Sequence, residues 1–211
     1  GIVLADWKNP TGLPEEHGIL LNELHKKGKF IVGFAGAHGI ANSLYAVIDA
    51  VALVEKQDVV LVLVGGGQEK NNLIKYTQKK KIDNVYFLPP VNKLAIPSLL
   101  KEMDVLYVGL QRQSLFRFGI SPNKMFDYMM AAKPIIQAIE AGNNLVREAD
   151  CGIDVEPDNK TEISKAILNL KAMSQEERIE MGENGRRFVL SHHTYQVLGK
   201  QFLDIMINLV E

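Results

Sequence analysis

Apolar and polar residues follow one another along this chain in blocks, and the blocks predict strands separated by helices. Six short apolar runs, bounded by glycine, proline or charged residues, have the length and composition of buried parallel strands. The predicted strands are residues 30–36, 58–67, 84–89, 103–110, 134–137 and 152–155. Between them, apolar residues recur at the three- and four-residue spacing of amphipathic helices. The alternation predicts an α/β fold built on a doubly wound, Rossmann-like parallel sheet with helices on both faces.

The start of the chain has a different pattern. Residues 1–28 contain prolines and glycines followed by a leucine stripe, and we interpret them as an interdomain linker with one short helix. His17 lies in a polar part of this segment, and we expect it to be solvated. Residues 29–211 then form the Rossmann-like domain together with its C-terminal helices.

Local signals place the helices at the C-terminal end. Asn159 with Glu162, and Ser174 with Glu177, have the spacing of capping boxes and predict two helix starts. A last helix is predicted at about residues 194–210, and we expect its apolar stripe to be part of the core. The stripe consists of Val197, Leu198, Phe202, Ile205, Met206 and Leu209.

Composition narrows the classes of function. The 211 residues are 46% hydrophobic and 23% charged, which is ordinary for a globular protein. A net charge of −1 gives no argument for nucleic acid or an anionic membrane as partner. The single cysteine excludes an internal disulfide and a multi-cysteine zinc site, and it favours a cytoplasmic location. No apolar run approaches the roughly 18–20 residues that span a bilayer.

The stretch 116–137 carries the candidate chemistry. Ser121-Pro122 predicts a helix start, where free backbone amides favour an anion. Lys124 and Asp127 are three residues apart and therefore share one face of that helix. A cation for a diphosphate beside a carboxylate for the ribose hydroxyls suits a nucleotide sugar. The alternative is a surface ion pair between the two side chains, which has no role in binding.

The same stretch resembles the nucleotide-binding half of retaining GT-B glycosyltransferases of family 4, above all bacterial enzymes of surface-polysaccharide assembly. The matching run is Ser121, Pro122, Lys124, Asp127, Tyr128 and Met129, followed by Lys133, Pro134, Ile135 and Ile136. Further matches are VLVGGGQE (62–69), NVYFLPPV (84–91), MDVLYVGL (103–110) and FLDIM (202–206). The resemblance extends from about Lys29 to the C-terminus. It implies one half of a GT-B fold, with the N-terminal acceptor-binding domain outside these residues.

The resemblance implies the donor-binding part of an enzyme that moves a hexosyl or N-acetylhexosaminyl group from a nucleotide sugar to an acceptor hydroxyl. The family's habits favour a UDP-linked donor, and imply neither a metal nor another cofactor. Polysaccharide or glycolipid assembly would follow, with a lipid-linked sugar as acceptor and the enzyme peripheral to the inner membrane on its cytoplasmic side. The chain alone is expected to catalyse no transfer.

The resemblance also indicates which residues would meet the donor. Lys124 and Arg117 are the candidate catalytic residues, since either cation would stabilise the departing diphosphate. Asp127 would hold the ribose, and the backbone from Leu88 to Val91 would flank the base. The other donor-binding candidates follow the predicted strands or begin the helix: Gly36, His38, Gly39, Gly66, Ser121 and Asn123.

The chain departs from the family at two places. Many relatives have an acid eight positions before the ribose-binding one, where this chain has Gly119. Many also have cations after the first strand, and residues 37–42 contain neither Arg nor Lys. The missing acid leaves open a non-catalytic nucleotide-binding module. A sugar-nucleotide epimerase half-domain stays open because it shares the two-domain scaffold, although the acid-poor loops argue against it. A dehydrogenase is disfavoured because the glycines after the first strand have the wrong spacing and the second strand ends without an acid.

Overall fold

The structure is a computed structural model that describes residues 1–209. The strands that it contains are β1 (Phe30–Ala35), β2 (Val59–Val64), β3 (Val85–Leu88), β4 (Val105–Gly109), β5 (Ile135–Ala138) and β6 (Gly152–Asp154). The first five helices are α1 (Leu4–Lys8), α2 (Glu15–Lys26), α3 (Leu44–Leu53), α4 (Lys70–Lys80) and α5 (Ile96–Lys101). They are followed by α6 (Asn123–Met130), α7 (Leu145–Glu148), α8 (Lys160–Ala172), α9 (Gln175–His192) and α10 (Tyr195–Asn208).

The six strands form one parallel sheet in the order β3-β2-β1-β4-β5-β6. After β3 the chain crosses to the other side of β1, so the strand order reverses between β1 and β4. In sheets of this kind, ligands bind beyond the carboxyl ends of the strands at such a reversal. The prediction of a Rossmann-like parallel sheet is confirmed.

The sheet has a hydrophobic core on each face, which explains the continuous apolar runs of its strands. In β2, Val60 and Val62 pack into one core, whereas Leu61 and Leu63 pack into the other. All six residues of β2 are buried, as are all six of β1. A strand that is covered on both faces needs apolar residues at every position. Strands with alternating apolar and polar residues would instead have left one face of the sheet exposed.

Helix α6 is fixed against the end of β1 by a buried tyrosine. The Ala35 amide donates to the Tyr128 hydroxyl over 2.9 Å, and the hydroxyl donates back to the Ala35 carbonyl over 3.3 Å. Pro122 has an extended ψ of 122° and precedes the first helical residue, so the helix begins one position later than predicted. This attachment holds the exposed edge of α6 beside the loop that follows β1.

Residues 1–28 pack onto the domain more closely than a linker with one helix would. Two helices form there, and Leu21 and Leu24 of α2 are buried in the core. The expectation that His17 is solvated was wrong: its ring is buried, and Nε2 lies 2.9 Å from the Pro89 carbonyl oxygen. His17 lies one turn before Leu21 and therefore shares its inward face.

The C-terminal helices begin where the sequence predicts, but the last of them is not buried as expected. Ser174 and Glu177 form both bonds of a capping box, whereas Asn159 only accepts from the Glu162 amide. The expectation that the stripe of α10 is core was wrong, since no residue of this helix is buried. No other element within residues 1–209 buries the apolar stripe of α10. Position 210, the last of the predicted helix, lies outside these residues. Every helix in the same range is too short or too polar to span a bilayer.

Candidate functional site

A mainly apolar cleft of about 380 Å³ opens at the carboxyl ends of β1, β2 and β3. Three predicted donor-binding residues line it: Gly36, Gly66 and Val91. The remaining wall consists of Ala35, Ala37, Val64, Gly65, Pro90 and Ile96. A flat, weakly polar group such as a nucleobase fits a cleft of this size and lining.

Glycines allow the loops after β1 and β2 to touch at the back of this cleft. Gly65 has φ +148°, and a Cβ there would lie 2.0 Å from the Gly36 carbonyl oxygen. Gly67 has φ +143°, and its Cβ would lie 2.6 Å from the His38 carbonyl oxygen. The His38 amide also donates to the Gly66 carbonyl over 2.7 Å. Side chains at positions 65 and 67 would therefore separate the two loops.

His38 lies behind these loops and does not line the cleft. Its ring is fully buried near the Phe34 and Phe87 rings, with centroid distances of 6.1 and 6.3 Å. Neither ring nitrogen has a hydrogen-bond partner within residues 1–209. Burial, together with the nearby Lys70 and Lys124, lowers the pKa of His38 to about 4, so the ring is neutral at pH 7. His38, a donor-binding candidate from the sequence, therefore supports the two loops from behind and does not line the cleft.

Lys124 reaches the rim of the cleft from α6. Its Nζ donates to Asn42 Oδ1 over 2.6 Å and lies 4.2 Å from the centre of the Phe34 ring. A Cβ on Gly36 would be 3.3 Å from the same nitrogen, which places the ammonium group directly against the β1 loop. Burial lowers the pKa of Lys124 to about 8. Within residues 1–209 no carboxylate pairs with it, so its charge is available to an anion.

Asp127 lies on the neighbouring part of α6, and it does not form the helical ion pair with Lys124 that the sequence left open. Its side chain is half-buried, with Lys93 and the Trp7 indole nearby. Burial raises the pKa of the Asp127 carboxyl, and the nearby Lys93 and Trp7 act against that rise. The structure therefore presents a cation and a separate carboxylate along one helix.

The predicted residues Ser121 and Asn123 border the start of α6, where both are exposed. The preceding loop is held by Asn143, whose Oδ1 accepts from the Ile120 amide over 2.7 Å and whose Nδ2 donates to the Ile120 carbonyl over 3.0 Å. The loop is thus fixed just before α6, where the leading amides of the helix have no intrahelical acceptor. Gly39, the other loop candidate, is half-buried and precedes the 3₁₀ turn Ile40–Asn42.

Arg117 lies on a second cleft, of about 510 Å³, near the ends of β4 and β5. Its guanidinium carbon is 4.6 Å from the centre of the Phe118 ring, and the side chain is exposed. Arg112, Glu140 and Gly142 line the same cleft. The structure thus brings Lys124 to the cleft of the β1 loop but leaves Arg117 on the neighbouring one.

Sequence reasoning missed Lys70, which joins the ends of β2 and β3 beside the first cleft. Its Nζ donates to the carbonyl oxygens of Gly65 and Leu88, each over 2.9 Å. Leu88, predicted as a donor-binding residue, has a buried side chain, and its carbonyl accepts one of these two hydrogen bonds. Lys70 lies in a lysine-rich stretch, and nothing in the local pattern distinguishes it from its exposed neighbours.

Comparison with known proteins places this site in a family. A family model described as "Glycosyl transferases group 1" matches residues 21–188, which is more than half of the chain. A search among curated proteins found no match.

Solved structures share the fold at low sequence identity. HepE from Anabaena is 18% identical with a TM-score of 0.75, and the match covers 98% of this chain and 55% of HepE. The sucrose-phosphate synthase of Thermosynechococcus elongatus is 18% identical with a TM-score of 0.79, covering 100% of this chain and 51% of the synthase. The chain thus spans about half the length of both proteins.

A third solved structure matches over its whole length. The C-terminal domain of the group 1 family glycosyl transferase LpcC from Francisella tularensis is 16% identical, with a TM-score of 0.68. That match covers 92% of this chain and 100% of the LpcC domain. The matched region of this chain therefore corresponds to one domain of that protein.

Proposed function

This chain belongs to the Glycosyl transferases group 1 family, and from that premise we propose that it is the C-terminal, donor-binding domain of a retaining family-4 enzyme. The enzyme would transfer a hexosyl or N-acetylhexosaminyl group from a nucleotide sugar to an acceptor hydroxyl. The observation that carries the proposal is the half-buried Lys124 ammonium, which has no carboxylate partner in the described residues and lies against the β1 loop. Burying a lone cation costs free energy, and an anionic ligand at this rim would offset that cost.

Related solved structures support UDP as the nucleotide. The Anabaena HepE structures hold UDP, UDP-glucose, or UDP and glucose, and TarM from S. aureus was solved with UDP among its ligands. In our proposal the uracil enters the apolar cleft beside Val91, and Asp127 accepts the ribose hydroxyls. The diphosphate then lies between the Gly36 loop and the start of α6.

Catalysis would follow from charge that develops on the leaving group. As the bond between sugar and diphosphate breaks, negative charge grows on the diphosphate, and a fixed cation stabilises that state more than the intact donor. We assign this role to Lys124, with the free amides at the start of α6 beside it. Arg117 is the second candidate and would need to reach the diphosphate from the neighbouring cleft. The nucleotide sugar is a substrate, and the proposal includes no metal or other cofactor.

The rest of the proposal concerns the longer protein. A preceding acceptor-binding domain would close over the cleft and exclude water, which otherwise competes as acceptor. We propose a lipid-linked sugar at the inner membrane face as acceptor, and polysaccharide or glycolipid assembly in the bacterial cytoplasm as the setting. Gly119, in place of an acid, favours the alternative of a module that binds nucleotide without chemistry.

Calorimetric titration with UDP, GDP and NAD tests the donor site. We expect UDP to bind, and Lys124→Met or Asp127→Asn to weaken it by about tenfold or more, because each removes a charged hydrogen-bonding partner. Lys75→Met, which removes an exposed lysine of α4, is the matched control and should bind UDP as the wild type does. Tight NAD binding, or UDP binding unaffected by the two site variants, would contradict the proposal.

A further inference from the structure

The Lys124 ammonium group of the candidate donor site is held by a side chain of the β1 loop. Asn42 Oδ1 accepts from Lys124 Nζ over 2.6 Å, and Asn42 Nδ2 donates to the Ala37 carbonyl over 2.9 Å. Ala37 is itself part of the wall of the apolar cleft. The half-buried Asn42 therefore connects the cation of α6 to the cleft through one amide group.

The two partners of this amide determine its orientation. An ammonium group can only donate hydrogen bonds, and a backbone carbonyl can only accept them. The oxygen of Asn42 must therefore face Lys124, and its nitrogen must face Ala37. A flipped amide would place donors against each other at one end and acceptors against each other at the other.

The backbone at Asn42 is held in place as well. Asn42 ends the 3₁₀ turn Ile40–Asn42, in which its amide donates to the Gly39 carbonyl over 3.1 Å. The Ala41 carbonyl accepts from the Gln111 amide over 3.0 Å, which joins this turn to the loop after β4. The Asn42 side chain thus approaches the ammonium group from a turn that is fixed at its base.

A neutral partner leaves the charge of Lys124 uncancelled. An amide oxygen carries only a partial negative charge, so the contact orients the ammonium group and does not neutralise it. A carboxylate in the same place would form a salt bridge with Lys124 and would repel an incoming anion. In the described part of the chain, Lys124 has no carboxylate partner, and its contact with Asn42 preserves a positive charge at the rim.

We propose that Asn42 is a positioning residue, which holds the Lys124 ammonium group against the β1 loop and leaves its charge for the diphosphate of the donor. The β1 loop and α6 then bind the diphosphate together, because the amide joins them before the nucleotide arrives. The inference rests on the proposed function, since it assumes that Lys124 meets the diphosphate. An Asn42 that only stabilised the loop would affect ligands with and without phosphate alike, and would leave the proton affinity of Lys124 unchanged.

Two substitutions separate the contact with Lys124 from the contact with Ala37. Asn42→Leu has a similar shape and loses both, whereas Asn42→Asp loses the bond to Ala37 but keeps an acceptor for Lys124 and adds a charge. In the nucleotide-free chain, we expect Asn42→Leu to lower the pKa of Lys124 and Asn42→Asp to raise it, because an acceptor or an opposite charge favours the ionised form. Titration of the lysine side chain by NMR measures both shifts. Loosening of the loop alone would change this pKa in the same direction in both variants, and that result would overturn the inference.

Comparing UDP with uridine tests whether the amide serves the diphosphate. We expect Asn42→Leu to raise the UDP dissociation constant about five- to tenfold, as for the loss of one hydrogen bond. Asn42→Asp should raise it about tenfold or more, because its carboxylate pairs with Lys124 and repels the diphosphate. The dissociation constant of uridine, which has no phosphate, should change by less than about twofold in both variants. Equal weakening of UDP and uridine would overturn the inference.

A charge control and a double variant complete the test. Asn169→Asp adds the same negative charge at an exposed position of α8, and this variant should bind UDP as the wild type does. In the Lys124→Met background, Asn42→Leu should have no further effect on UDP, since Asn42 acts through Lys124. A further loss would show that Asn42 meets the nucleotide directly, which contradicts a positioning role.

Failure of the inference and failure of the proposed function give different results. If the wild type binds UDP and Lys124→Met weakens that binding, unchanged UDP affinity in both Asn42 variants overturns the inference alone. If the wild-type chain binds no UDP, or Lys124→Met binds it equally well, the proposed function fails. The role of Asn42 toward the diphosphate then fails with it.

Discussion

At the scale of single residues, the site depends on a lysine whose environment works against its charge. Lys124 is held by Asn42 and the Phe34 ring, and burial lowers its pKa from the ordinary 10.5 to about 8. A neutral residue of similar length would avoid this cost of burial. In the proposed function, the ligand that uses this charge is a diphosphate at the β1 loop.

The lowered pKa of Lys124 predicts a pH dependence of nucleotide binding. UDP favours the charged ammonium, so binding above pH 8 must first return a proton to Lys124. We expect UDP affinity to fall about twofold between pH 7 and 8 and by up to about tenfold for each further pH unit, as for the uptake of one proton. Calorimetry between pH 7 and 9.5 measures this decline.

Two substitutions at Lys124 serve as controls for that decline. Lys124→Met should bind UDP weakly with little dependence on pH in this window. Lys124→Arg keeps its charge throughout, since a guanidinium does not lose its proton below about pH 12. The interpretation fails if Lys124→Met shows the same alkaline decline as the wild type.

The sequence predicts correctly that Lys124 and Asp127 lie together on α6, because a three-residue spacing on one short helix is a local property. The positions of His38 and Lys70 depend on contacts between loops that are distant in sequence. His38 is buried only because the loop after β2 packs over it, and Lys70 is satisfied only by the ends of β2 and β3. Such partners are set by tertiary structure, so local sequence reasoning could not assign these roles.

At the scale of elements, α6 is held in place from behind by α9. Gly182 of α9 is buried where the two helices meet, and a Cβ there would lie 2.1 Å from the Ala132 carbonyl oxygen. The obstructing atom belongs to the backbone just after α6, which cannot move without shifting that helix. The position of Lys124 and Asp127 therefore depends on a glycine more than 50 residues away in sequence.

Gly182→Ala tests this dependence. We expect the free energy of unfolding to fall by about 2–3 kcal/mol, because an added methyl group in a packed interface forces the backbone apart. UDP affinity should fall as well, since α6 moves relative to the β1 loop. Urea denaturation and calorimetry measure the two effects.

Gly18→Ala provides a matched control for this substitution. Gly18 lies within α2 and would have nothing within 4 Å of a new Cβ. This variant should be unchanged or more stable by up to about 1 kcal/mol, because alanine is the better helix former. Equal stability of the Gly182 and Gly18 variants would show that the crossing of α6 and α9 tolerates a side chain.

Elements with strong patterns were the ones that sequence predicted well. All six strands lie within two or three residues of their predicted bounds, because continuous apolar runs end at glycine, proline or charge. The four-residue helix α7 was not predicted, since so short a helix has no periodicity of its own. Nor was α1, whose five residues form a helix in contact with the rest of the domain.

At the scale of the whole molecule, α10 stands apart because its apolar side faces solvent. Phe202 is 67% exposed and Ile205 is 59% exposed, although the helix has the composition of a core element. A contiguous apolar patch on a folded surface marks a contact with another protein or domain. The expectation that this stripe is core failed here because sequence pattern shows that a helix face is apolar but not which surface covers it.

The double variant Phe202→Gln with Ile205→Gln tests whether α10 is a contact surface. Both side chains are already exposed, so we expect the free energy of unfolding of this chain to change by less than about 0.5 kcal/mol. Sedimentation equilibrium should show weaker self-association than in the wild-type chain, because the largest apolar side chains of the patch are gone. Ile19→Gln, on α2 with 54% exposure, should leave self-association unchanged as an isolated apolar residue. In the longer enzyme that we propose, the same double variant should lower the free energy of unfolding as well, because another domain would cover this face.

Marked destabilisation of the present chain by the double variant would contradict the interpretation, because it would show that α10 packs within this chain.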